Sequence, residues 1–123
     1  MTIAKQINIK KFPFEIKDSD GNRIYYEDSD GWWSKQEWAG GKEIYFENSN
    51  GFWVKREWDG GEEIYREYSN GFWVKREWAD GNRIYYENSD GVIVDNRPKT
   101  DVQKAIDLLT KEGLLRDGKI LKN

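Results

Sequence analysis

The sequence has no cysteine and no histidine in its 123 residues, and only two prolines and one methionine. The first two absences exclude disulfides, Cys/His zinc sites, cysteine nucleophiles and Ser-His-Asp triads. No apolar run approaches the length of a membrane span, and the first twenty residues lack the apolar core of a signal peptide. The expectation is therefore a soluble, cytoplasmic protein with no membrane partner. An excess of basic charge is also missing, the net charge being −3. Residues 1–96 carry 13 Lys+Arg against 19 Asp+Glu, and residues 97–123 carry 7 against 4. A mildly acidic chain neutralises phosphates poorly, so nucleic acid is not an expected partner. Hydrophobic residues make up 37%, but aromatics at 15% supply much of the apolar area.

What the sequence does have is a glycine every ten residues, from Gly21 to Gly91. Each closes a short polar phrase such as Ser29-Asp30-Gly31, Ser49-Asn50-Gly51, Asp59-Gly60-Gly61 or Ala79-Asp80-Gly81. These phrases predict three-residue hairpin loops, a type I turn followed by a left-handed glycine. The period is in fact twenty, because two unlike halves alternate, and residues 49–58 and 69–78 are identical. Between loops lie six or seven residues rich in aromatic and β-branched types, which predict strands. The expected fold is mainly β: a nine-stranded antiparallel up-and-down meander of 20-residue hairpin repeats, from about residue 12 to 95. The chain divides into a repeat sheet over 1–96 and a tail over 97–123 within one domain.

A three-residue loop sets the register, so Tyr26 faces Ser34 and Ile24 faces Gln36, and alternation then assigns the faces. The first face is expected to hold Phe12, Phe14, Ile16, Ile24, Tyr26, Trp32, Trp38, Ile44, Phe46, Phe52, Val54, Trp58, Ile64, Tyr68, Phe72, Val74, Trp78, Ile84, Tyr86, Val92 and Val94. The second carries a Trp/Glu row (Glu27, Trp33, Glu47, Trp53, Glu67, Trp73, Glu87) and a Tyr/Lys row (Tyr25, Lys35, Tyr45, Lys55, Tyr65, Lys75, Tyr85). Its third row is charged: Arg23, Glu37, Glu43, Glu57, Glu63, Glu77 and Arg83. In the tail, Thr100 and Gln103 form a capping box. Val102, Ala105, Ile106 and Leu109 follow at helical spacing, Gly113 ends the helix, and Asp117-Gly118 predicts a short hairpin. This helix is expected to pack on the apolar face. At about 18 Å it covers only part of a sheet about 38 Å wide, and the uncovered part points to a partner or to a homodimer.

The sharpest irregularity is Arg66, which stands where other repeats have Tyr26, Phe46 or Tyr86. The register places it diagonally between Arg56 and Arg76, with Trp58, Trp78, Tyr68 and Phe72 around them. Such a patch suits a carboxylate, a phosphate or an acidic protein surface. It equally suits arginines lying over the tryptophans, or meeting Asp101, Asp107 or Glu112 of the helix. The carboxylate row offers a cation site or a solvated face. Trp33, Trp53 and Trp73 form a stripe that could stack sugar rings or simply pack across strands. A flat repeated surface gives no cleft in which to shift a carboxylate pKa, so no catalytic residue, metal or cofactor is expected.

Asp28-Ser-Asp-Gly31, Gly21-Asn-Arg-Ile-Tyr-Tyr26 and Glu57-Trp-Asp59 resemble the tyrosine/aspartate repeats of RHS-type proteins, and Tyr45-Phe-Glu-Asn…Gly51 is similar to MORN-like repeats of bacterial and phage proteins. The resemblance spans residues 18–96 and implies a scaffold, shell or binding surface. It also suggests a small phage product that inhibits or modulates a host defence protein. The functional expectation is a non-catalytic protein-binding module using Arg56, Arg66 and Arg76 with their aromatic rim. The alternative is a carbohydrate-binding module using the tryptophan stripe.

Overall fold

The computed structural model describes residues 2–113, 115–116 and 119–120. A short helix, α1 (Ile3–Gln6), precedes nine strands: β1 (Phe14–Lys17), β2 (Arg23–Glu27), β3 (Trp33–Ala39), β4 (Lys42–Asn48), β5 (Trp53–Asp59), β6 (Glu62–Tyr68), β7 (Trp73–Ala79), β8 (Asn82–Asn88) and β9 (Ile93–Asp95). They form one antiparallel sheet in sequence order, as expected. Then come α2 (Asp101–Lys111) and two short paired strands, β10 (Leu115–Arg116) and β11 (Lys119–Ile120). The Asp117-Gly118 turn lies outside the described residues.

The eight hairpins are of two kinds, not one. Five have the expected three-residue loop, as where Asp28 N–H donates to the Trp32 carbonyl and Gly31 N–H to the Asp28 carbonyl. The other three close with two residues: Gly40-Gly41, Gly60-Gly61 and Asp80-Gly81. Both positions of these loops have positive φ (57° and 86° at Gly60 and Gly61, 51° at Asp80), the mark of a type I′ turn. Each two-residue loop is followed by a bulge. Glu37 pairs with Tyr45 but Trp38 with Glu43, which leaves Ile44 without an opposite number. Ile64 and Ile84 are passed over in the same way.

The bulges correct the expected faces. Beyond each one the register moves by two, so Gln36 faces Phe46 and Lys35 faces Glu47. Within it, Glu43, Glu63 and Arg83 come to the side of Trp38, Trp58 and Trp78, the first face. Ile24 and Ile44 instead line grooves with Tyr25 and Tyr45 of the second face. A bulge between β1 and β2 has a larger effect, because it reverses the alternation of β1. Phe14 faces Glu27 and Ile16 faces Tyr25, so both lie on the second face and not the first. Phe14 there meets the Tyr25 ring edge-on at 6.1 Å.

Two side-chain devices close the ladder ends that the bulges open. Trp38, Trp58 and Trp78 donate their indole N–H to the carbonyls of Arg23, Glu43 and Glu63 at 2.8–2.9 Å. At the other end, Ser49, Ser69 and Ser89 donate their backbone N–H to the carbonyls of Trp33, Trp53 and Trp73. The hydroxyls of Ser49 and Ser89 accept from the amides of Trp33 and Trp73. The recurrent Trp and Ser thus satisfy backbone groups that would otherwise lack partners.

Burial is thin and partly polar. Tyr25, Val54, Val74 and Ala4 are buried, as are Glu27, Ser34, Gln36, Glu63 and Asn88. Helix α2 starts as expected, Thr100 accepting from the Gln103 N–H, but the Gln103 side chain donates to Asp107 and does not reach back to the cap. None of its residues is buried, and Val102 and Leu108 are 70% and 56% exposed, so it does not bury its apolar stripe on the sheet.

Candidate functional site

The three arginines singled out in the sequence do converge, and the bulge explains how. Arg56 and Arg66 stand directly opposite each other, with Arg76 diagonal to Arg66 through the Arg66–Val74 pair. Their partner is Glu63, brought to their face by the bulge after the Gly60-Gly61 loop. Arg66 Nη2 lies 2.8 Å from its carboxylate, Arg76 Nη1 2.5 Å and Arg56 Nε 3.5 Å. Arg56 also bonds Glu43. The Glu63 side chain is only 9% exposed. Hydrogen bonding to Glu63 raises the Arg66 pKa above its already high ordinary value, against the opposing effect of burial.

The rim residues take definite roles. Arg66 Nη1 bonds the Tyr68 hydroxyl at 3.0 Å. Phe46, Phe52, Tyr68 and Phe72 form a continuous row across β4 to β7, with ring centroids 6.1–6.2 Å apart and Phe52 41% exposed. Trp58 and Trp78 spend their indole N–H groups on the backbone, as described. Of the expected acids of α2, Asp107 is engaged elsewhere, bonding Lys99 at 2.5 Å and Gln103 at 2.9 Å. The sheet's own Glu43 and Glu63 are what sequence reasoning missed. Three guanidiniums on two carboxylates leave an excess of one positive charge, and the buried Arg66 Nε has no acceptor among the described residues.

The same exchange polarises the sheet. Arg23 and Arg83 lie over the rings of Tyr26 and Tyr86, each at 4.9 Å. With Arg56, Arg66 and Arg76 they make the first face cationic despite Glu15, Glu43 and Glu63. The second face keeps Glu27, Glu37, Glu47, Glu57, Glu67, Glu77 and Glu87 against Lys35, Lys55 and Lys75. The expected single row of carboxylates is therefore split between faces. Among the described residues, no group of three or more acidic side chains is placed to hold a metal ion.

On the second face Lys35, Lys55 and Lys75 lie over the rings of Trp33, Trp53 and Trp73 at 5.0–5.1 Å. A sugar stacking there would have to displace an ammonium group from each ring. Between these pairs, Tyr25, Tyr45, Tyr65 and Tyr85 donate their hydroxyls to Glu27, Glu47, Glu67 and Glu87. Glu27 differs from the other three in being 2% exposed. Helix α1 covers it, and Ala4 N–H donates to its carboxylate at 3.1 Å. Burial raises the Glu27 pKa, but hydrogen bonds from Thr2, Ala4 and Tyr25 outweigh it and hold the group below its ordinary value. The sequence carried no evident signal for α1 beyond Thr2 as a cap.

No protein-family model matches the chain, and no curated protein matches it significantly. Among the described residues no helix is long and apolar enough to cross a membrane.

Proposed function

We propose that the chain is a non-catalytic protein-binding module. On this reading the first face of the sheet receives an acidic partner surface that also presents apolar side chains. The aromatic row Phe46–Phe52–Tyr68–Phe72 carries the reading, since it lies half-buried beside the arginine cluster with Phe52 exposed. A carboxylate from the partner would balance the cluster's excess charge, and the aromatic row would lose its contact with water. Open aromatic surface next to arginine is the composition of binding hot spots. The carboxylates with shifted pKa values, Asp18, Glu27, Asp95 and Asp107, are all shifted downward. A general acid at neutral pH requires the opposite shift, which favours binding over catalysis. The repeat resemblance makes modulation of a host protein the natural setting.

The test is to capture partners from cells with the wild-type chain, then repeat the binding with purified components. Phe52→Glu and Arg66→Glu should each weaken the reconstituted complex at least tenfold. A complex that neither substitution affects, or a chain that binds immobilised glycans and no protein, overturns the proposal.

A further inference from the structure

The second face carries one groove more than once, and the chain's own first helix walls the first copy. That groove has a volume of about 420 Å³ and is formed by Ile24, Tyr25, Lys35 and Tyr45. Ile3 of α1 and Ile16 of β1 supply its outer wall. Twenty residues on, Ile44, Tyr45, Lys55 and Tyr65 form a groove of about 330 Å³, with Glu37, Arg56 and Glu57 on its lining. No helix stands at this second copy. The corresponding tyrosine–glutamate pair is present, Tyr45 donating to Glu47 at 3.2 Å as Tyr25 does to Glu27 at 2.9 Å. At the fourth pair, Arg97 lies 4.2 Å over the Tyr85 ring. The chain thus lays two of its own parts on this face, a helical turn beside Tyr25 and a guanidinium over Tyr85.

The segment that walls the first copy defines the chemistry that fits the second. Helix α1 begins at Thr2, which caps it by accepting the Lys5 N–H. Its Ala4 is fully buried, its Ala4 N–H donates to Glu27, and Ile3 stands at the groove. Residues 2–11 contain Lys5, Lys10 and Lys11 and no acidic residue, and Ile3 and Ala4 of this segment sit on the acidic face. We propose that the groove of Ile44, Tyr45, Lys55 and Tyr65 is a docking site for a basic helical turn of a partner protein. One backbone N–H of that turn bonds Glu47, a small residue packs against the sheet beside it, and an apolar side chain enters over Ile44. Lysines of the segment meet Glu37 and Glu57. The site lacks the wall that Ile16 of β1 gives the first copy, so its occupant binds reversibly. This inference concerns the opposite face from the proposed function and stands independently of it.

The experiment titrates the isotopically labelled full chain with an acetylated, amidated peptide of residues 2–11 and follows backbone and indole resonances. Saturable shifts are expected at Ile44, Tyr45, Glu47 and Trp53. Glu47→Gln in the chain should weaken binding at least tenfold. Ala4→Leu in the peptide should do the same, and this variant leaves the protein intact. No saturable shift up to millimolar peptide overturns the proposal. So do shifts confined to Tyr25, Glu27 and the chain's own α1, or binding that Ala4→Leu does not weaken.

Discussion

Glu63 shows how much a single residue depends on backbone geometry. In a strictly alternating strand it would point to the second face, but the bulge makes it the shared anion of three arginines. Removing its charge leaves those guanidiniums close together without their partner. Glu63→Gln should therefore cost about 2–3 kcal/mol in a urea unfolding curve. Arg66→Tyr restores the residue type of Tyr26 and Tyr86 and leaves Glu63 bonded to Arg56 and Arg76. It should cost less than about 1 kcal/mol. If Arg66→Tyr costs as much as Glu63→Gln, the carboxylate is not the centre of the network. Titration gives a second measure at this scale. Glu27 is held below its ordinary pKa, so its contribution to docking α1 is complete above the ordinary glutamate range. That contribution is lost as pH falls through its depressed value, and the Ala4 amide resonance should report the release. Tyr25 and Tyr65 behave in the opposite sense. Burial raises the pKa of Tyr25 to about 12, with its bond to Glu27 acting the same way. The bond to Glu67 raises Tyr65 to about 12, reinforced by burial. Their neutral phenols stabilise the fold below pH about 10, and this is lost as pH rises through about 12. Absorbance near 295 nm should show these two ionising last; a single step near pH 10 for all tyrosines would refute it.

The hairpin is the element that sequence reading resolved in part. Nine strands, their order and the positive-φ glycines were legible, because a glycine every ten residues between aromatic-rich runs admits few other arrangements. The loop kind was not, since a three-residue loop and a two-residue loop with a bulge fit the same spacing. The distinction was nevertheless written in the residues. Ser-Asn-Gly and Ser-Asp-Gly close the three-residue loops, whereas Gly40-Gly41, Gly60-Gly61 and Asp80-Gly81 carry the type I′ signature. Missing it displaced Ile44 and Glu63 to the wrong faces and hid both the ion network and the repeated groove. Helix α1 was illegible for another reason: a four-residue helix has no periodicity to detect, and it is held by a buried carboxylate far along the chain. The loop assignment is testable by substitution. Asp80 already occupies the first loop position with φ 51°, so Gly60→Asn should change stability by less than about 0.5 kcal/mol. A Cβ at Gly61 meets nothing within 4 Å, so the cost of Gly61→Ala is purely conformational, about 1–2 kcal/mol. Equal costs at the two positions would contradict the type I′ geometry. The Trp devices are equally specific: Trp58→Phe keeps an aromatic ring but removes the indole N–H from the Glu43 carbonyl along with part of the ring area, and should cost at least about 1 kcal/mol measured the same way.

At the scale of the molecule, each repeat touches chiefly its neighbours, since the sheet runs in strict sequence order without a crossover. Stability in such an array is close to a sum of repeat and interface terms, and a repeat can be removed without disturbing the rest. Excising residues 49–68 joins Asn48 to Ser69 and puts β7 in the place of β5. The new loop repeats the old one, Ser-Asn-Gly-Phe-Trp. Tyr45 then faces Lys75, Phe46 faces Val74, and Arg76 stands where Arg56 bonded Glu43. Glu63 leaves together with Arg56 and Arg66, so no unpaired carboxylate remains behind. The shortened chain should fold into a seven-stranded sheet with cooperative unfolding and a smaller denaturant dependence, in line with the lost surface. Excising only residues 49–58 removes the same number of loops as strands but joins β4 to the loop of Gly60-Gly61. That construction breaks the alternation of loop kinds, displaces the bulge and turns Glu63 away from the cationic face. It should not give a cooperative transition. If both excisions fold equally well, the unit is ten residues and the bulge is incidental. If neither folds, the sheet is held by contacts that reach beyond neighbouring repeats.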